Sequence, residues 1–140
     1  MANTPRKSAA DIQTSYVELG EDISTKGQMI AILTSDLEVY AAADTANYVV
    51  VGVNYGDDSA VGDEGDTITV TRSVFRFTNT VGANAVTQAH LTKACYVGAN
   101  STTVSKDGGT NSIVAGTVVD VDSNGVWVDV GRNTSPVDAT

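Results

Sequence analysis

The chain has 140 residues, 41% hydrophobic and 18% charged, with a formal net charge of -9 and a single cysteine. A length of this order predicts one domain with one core, burying roughly 70% of the surface its unfolded form exposes, while the lone Cys95 excludes an intramolecular disulfide and, beside the lone His90, a Cys/His zinc site. The acidic excess repels phosphate backbones and anionic lipid, so neither nucleic acid nor a membrane is expected as a partner; no apolar run approaches the ~18 residues of a membrane span, and no secretory signal opens the chain, so a soluble protein made in the cytoplasm is expected.

Taken in chain order, residues 1–22 stand apart. They are polar and offer only Ile12, Tyr16, Val17 and Leu19 for burial. Arg6 and Lys7 put +2 on the first ten residues and leave -11 on the other 130. This composition predicts an extended N-terminal arm that orders only against a partner. From residue 23 to residue 131 the chain reads as a mainly β domain, because 21 Val and 18 Thr supply β-branched residues that suit a pleated sheet. Strands are expected at Met29–Leu33 and 38–41, joined by a hairpin at Thr34-Ser35-Asp36, and at 49–54 before a turn at Tyr55-Gly56-Asp57-Asp58. Thr67–Arg72 alternates, Ile68 and Val70 against Thr67, Thr69 and Thr71, and 73–78 repeats the pattern around Phe75 and Phe77. Residues 83–91 are the one helical candidate, enough for a short helix. Further strands follow at Ala94–Val97, 102–105, 113–116 and 117–122, and a final one at 126–130 is joined to its predecessor by Asn124-Gly125, whose tolerance of positive φ suits a type I′ turn. The alternation assigns Ile68, Val70, Phe75, Phe77, Val119, Val121, Val128 and Val130 to the core. Residues 132–140, with Pro136, read as a flexible C-terminal tail.

Several motifs invite chemistry and fall short of it. Asp120, Asp122, Asn124 and Gly125 match the first half of a calcium loop, but Gly131 stands where the bidentate Glu belongs and strands replace the flanking helices. The acidic run Asp57, Asp58, Asp63, Glu64 and Asp66 lies among glycines and reads as a solvated loop rather than a cation site. His90 and Cys95 have no third group to orient them as a nucleophilic pair, and Lys106 precedes Gly108 and Gly109 in the wrong order for a phosphate loop. No catalytic constellation, cofactor site or metal site emerges, and a non-enzymatic protein is expected.

The order of features from residue 23 to residue 130 resembles the capsid decoration, or cement, proteins of tailed bacteriophages. The resemblance rests on the Ala41-Ala42-Ala43-Asp44 loop, Val51-Gly52-Val53, the acidic glycine-rich loop, Ile68-Thr69-Val70 and Val74-Phe75-Arg76-Phe77. It continues through Ala94-Cys95-Tyr96-Val97, Ile113-Val114-Ala115-Gly116 and the closing Val126-Trp127-Val128-Asp129-Val130. It covers about three quarters of the chain and lies in the order of short apolar strands rather than in any single motif. It implies a single compact β-barrel or β-tulip-like domain on the outer surface of the virion, a homotrimer that clamps neighbouring major capsid protein subunits after head expansion. It also implies capsid contacts along the arm, through Arg6, Lys7, Ile12, Tyr16, Val17 and Leu19. Two other readings stay open: a head-fibre base or tail-associated structural module, and a carbohydrate-binding β-sandwich.

Overall fold

The structure, a computed structural model, describes residues 12–56 and 58–131, with the backbone alone for residues 12–17. It is mainly β, as the Val and Thr content implies. Five strands, β1 (Ile12–Glu18), β2 (Met29–Leu33), β3 (Val39–Ala41), β4 (Tyr48–Val53) and β5 (Thr67–Arg72), form an antiparallel sheet in the order β1-β5-β4-β2-β3. The other five are β6 (Val74–Asn79), β7 (Ala94–Val97), β8 (Thr103–Ser105), β9 (Val114–Asp122) and β10 (Gly125–Val130); they close into a barrel in the order β10-β6-β8-β7-β9, antiparallel except between β6 and β8. Closure removes sheet edges from this half of the molecule.

Two apolar clusters replace the single core expected, because the five-stranded sheet is apolar on both faces. Along β2, Met29 and Ala31 point to one side and Ile30 and Ile32 to the other, as the period of two requires. Met29, Ala31, Val50 and Val53 join the barrel's Val104, Val126, Val128 and Val130 in the larger cluster, which fuses sheet and barrel. Ile30, Val39, Ile68 and Val70 gather around Leu19 and Ile23 in the smaller one. The sheet curls over this second cluster, and the chain leaving β1 closes the curl. Leu19 donates its amide to Asp66 O at 2.8 Å and accepts from Gly65 N at 2.8 Å, while Gly20 donates to Val39 O at 2.9 Å. In Val51-Gly52-Val53 the glycine has φ 155°, and a Cβ there would lie 2.7 Å from Thr71 O, so only glycine lets β4 approach β5 this closely.

Most strand expectations hold within a residue or two, and Thr67–Arg72 holds at the same bounds. The helical candidate over 83–91 takes the form of two separate three-residue 3-10 turns, Gly82–Asn84 and Gln88–His90, because the side chain of Asn79 brackets Val86 between them, donating to its carbonyl and accepting from its amide at 2.8 Å each. Segments 113–116 and 117–122 run together as β9. The β9–β10 hairpin turns on Ser123 and Asn124 rather than on Asn124 and Gly125: Gly125 already pairs with Asp122 and is the one of these residues with positive φ, 150°. Ile68, Val70, Phe77, Val128 and Val130 are buried, and Phe75 and Val121 are half-buried against the larger cluster. Val119 is a correction. It is 50% exposed because Trp127 pairs with Asp120 but Val128 pairs with Val118, so Val119 is the extra residue of a bulge, and Val118 takes the core position.

The arm expected over residues 1–22 also ends earlier than its composition suggested. Residues 12–18 pair with β5 and Leu19 is fully buried, so the body begins at Ile12. A strand needs only an edge to pair with and an anchor beside it, which β5 and the buried Leu19 supply. Residues 1–11 and the C-terminal tail 132–140 lie outside the described residues.

Candidate functional site

The residues expected to contact a capsid fall into three groups. Arg6 and Lys7 are outside the described residues. Ile12, Tyr16 and Val17 lie on β1, which among the described residues pairs on one side only, with β5. Leu19 contradicts the expectation: it is 0% exposed, in the centre of the smaller cluster, and has no surface to offer a partner.

What the fold does present at this place is main chain. Of the two margins of the five-stranded sheet, the β3 margin is covered by the segment leaving β1, since Val39 O accepts from Gly20 N and Ala41 N donates to Glu21 Oε2 at 3.0 Å. The outer margin of β1 is the sheet edge left open among the described residues. Its register against β5 is irregular: Thr14 faces Val70 and Val17 faces Ile68, three positions on one strand against two on the other. Such a bulge limits continuous pairing to the stretches on either side of it. Beneath this edge, on β5, Thr71 Oγ1 and Arg72 Nε are buried with no hydrogen-bond partner among the described residues.

The other chemistry-bearing residues are committed elsewhere. Asp44, between β3 and β4, accepts from Thr110 N and Asn111 N at 2.8 Å each, and its carbonyl accepts from Asn111 Nδ2 at 3.1 Å. These amide donors hold its carboxyl below the ordinary carboxylate range, and the contact ties the sheet to the β8–β9 loop. The Lys106-Asp107-Gly108-Gly109 segment belongs to that loop. Beside it lies a shallow concavity of about 230 Å³, lined in part by Asp44, Asn84, Ser105 and Asp107. The sequence held no signal for the Asp44 contact, which spans 66 and 67 residues.

Cys95 is buried in the larger cluster, where desolvation pushes its thiol up to about 12. His90 turns its Nδ1 to the amide of Thr87 at 2.9 Å, capping its own 3-10 turn rather than meeting a nucleophile. In the acidic loop, Asp66 Oδ2 accepts from Asp63 N at 2.9 Å, Asp22 Oδ1 from Glu64 N at 2.7 Å, and Asp58 faces Lys26 at 3.5 Å. No group of three or more His, Cys, Asp or Glu side chains converges among the described residues. Of the aromatic residues, Tyr55 is exposed and leans on Phe75 with ring centroids 5.2 Å apart, Tyr40 and Tyr48 stack, and Arg76 covers Trp127 at 5.7 Å. No helix of the described residues is long and apolar enough to cross a membrane. The chain matches no family model, no curated protein and no solved structure.

Proposed function

We propose that the protein is a non-enzymatic virion component that decorates a tailed-bacteriophage capsid, clamping neighbouring major capsid protein subunits of the expanded head as a homotrimer. The observation that carries this reading is the edge of β1 that is left open among the described residues and is joined in sequence to a segment bearing Arg6 and Lys7, on a chain whose remainder is strongly acidic. An open edge accepts a partner strand through main-chain hydrogen bonds, and the basic pair supplies a salt-sensitive attraction to acidic groups, about 1 kcal/mol or less for each exposed pair. The order of short apolar segments along the sequence, which resembles that of decoration proteins, supports the same reading.

The physical role is linkage. A protein that binds the expanded lattice and not its precursor stabilises the expanded form by about 2.7 kcal/mol per site when its free concentration is about 100 times Kd. Cosedimentation with undecorated expanded heads, with unexpanded heads as the comparison, tests the proposal. Saturable binding to expanded heads that weakens with salt and with deletion of residues 2–11 is expected. Absence of binding to expanded heads refutes it.

A further inference from the structure

The β9–β10 turn places a chemically labile bond under restraint. Asn followed by Gly is the dipeptide most open to succinimide formation, because glycine has no side chain to hinder attack by its own nitrogen. The fold requires that glycine: a Cβ on Gly125 would collide with Phe77 O, where β10 runs against β6, and φ at Gly125 is 150°. The residue before it, Asn124, is exposed to solvent at the tip of the hairpin. The two backbone amides of this dipeptide share one acceptor. Asp122 Oδ1 accepts from Asn124 N at 2.7 Å and from Gly125 N at 3.1 Å, and Asp122 Oδ2 accepts from Trp127 Nε1 at 3.1 Å.

We infer that Asn124 is a deamidation site held in check by the carboxylate of Asp122. Deamidation begins when the Gly125 nitrogen loses its proton and attacks Cγ of Asn124. The N–Cγ bond forms, the Cγ–Nδ2 bond breaks and ammonia leaves; water then opens the succinimide to aspartate or isoaspartate. No oxidant or further reactant is needed. A carboxylate bound to that N–H opposes its deprotonation, as any adjacent like charge opposes formation of an anion, and pinning both amides keeps the nitrogen from swinging toward Cγ. Asp122 is a positioning residue in this scheme. Escape from the restraint puts a new negative charge beside Asp120 and Asp122, and isoaspartate adds a methylene to the turn that closes the barrel.

Peptide mapping by mass spectrometry during incubation at mildly alkaline pH reads the reaction at residue 124, and Trp127, the only tryptophan, reports the state of the hairpin through its fluorescence. Native wild-type protein should lose Asn124 roughly tenfold more slowly than the same chain unfolded in urea, a factor equivalent to about 1.4 kcal/mol. Its Gly125 amide should be protected from hydrogen exchange. Asp122→Ala, and Asp122→Asn, which keeps the side-chain shape without the charge, should bring the folded rate toward the unfolded one. Equal rates for native and unfolded wild type, or an unprotected Gly125 amide, overturn the inference. So does a folded Asp122→Asn protein that deamidates at residue 124 as slowly as wild type. These outcomes are independent of capsid binding.

Discussion

Leu19→Ala separates an N-terminal segment that belongs to the fold from one that hangs off it. Leu19 is fully buried with Ile23, Ile30, Val39, Ile68 and Val70, and its hydrogen bonds to Asp66 and Gly65 are made by main chain that alanine retains. The substitution therefore removes packing alone, and truncating a buried leucine to alanine costs about 2–5 kcal/mol, according to how far the cavity collapses. The upper half of that range is expected here, because the cluster is small and walled by strands held in register on both sides. For a domain of this size each kcal/mol moves the midpoint by about 3 °C, so a drop of roughly 10–15 °C should follow. Urea unfolding, followed by Trp127 fluorescence and by far-ultraviolet circular dichroism, gives the free energy, and calorimetry the midpoint. Deletion of residues 2–11 should leave both unchanged, whereas deletion of residues 2–22 should destabilise at least as much as the point substitution. A cost below about 1 kcal/mol for Leu19→Ala would show that the smaller cluster contributes little.

Other substitutions probe the remaining assignments. Phe77→Ala should cost about 3–5 kcal/mol in denaturant unfolding, and Phe75→Ala clearly less, because Phe75 is only half-buried. Val119→Thr should change stability by no more than about 0.5 kcal/mol, as its exposed place on a bulge implies, while Val118→Ala should be clearly destabilising. Thr71→Val should stabilise by about 1 kcal/mol, since it removes a buried hydroxyl with no partner among the described residues; a loss would show that the hydroxyl is satisfied. Asp44→Ala should destabilise at neutral pH. Because the folded carboxyl is depressed below 3.8, its contribution is complete above the ordinary carboxylate range and is lost as pH falls through the folded value, so the gap to wild type, measured by unfolding across an acid series, should close at low pH. Cys95 should resist alkylation in the native protein and react readily in urea, as a buried thiol pushed up to about 12 implies.

The strands were legible where alternation was regular and unbroken. Thr67–Arg72 shows its buried face in the spacing of Ile68 and Val70, and the turn residues on either side bound it. Legibility ended where one residue was added to a strand. In Thr117-Val118-Val119-Asp120-Val121 either valine could face inward, and the alternation assigns Val119 and Val121 to the core. The bulge opposite Trp127 reverses the first of these, a one-residue slip that moves a side chain to the other face without leaving a local mark. The Asp44 contact was illegible for a different reason: an aspartate in an alanine-rich loop is indistinguishable from any solvated one until the fold brings the Thr110 and Asn111 amides to it.

The N-terminal strand is not legible in composition because a segment that borrows a core needs far less apolar content than one that must fold by itself. Four apolar residues in 22 are too few for a core, but ample for a strand that borrows one: β5 supplies the hydrogen bonds and the curled sheet supplies the cavity for Leu19. The consequence for function is specific. A side chain that is fully buried cannot be a contact, so on the proposed capsid-binding reading the contacts along this segment fall to the main-chain edge of β1 and to residues 1–11 rather than to Leu19. Main-chain recognition is tolerant of the partner's sequence but strict about its register, and the irregularity between Thr14 and Val17 divides the edge into two short stretches. On the proposed reading, a strand of the capsid lattice that pairs with both must carry a matching irregularity, whereas one that pairs with only residues 12–14 engages the stretch that the sequence joins to Arg6 and Lys7. Salt dependence separates these two arrangements, because main-chain hydrogen bonds are little screened while the basic pair's attraction falls steeply with ionic strength.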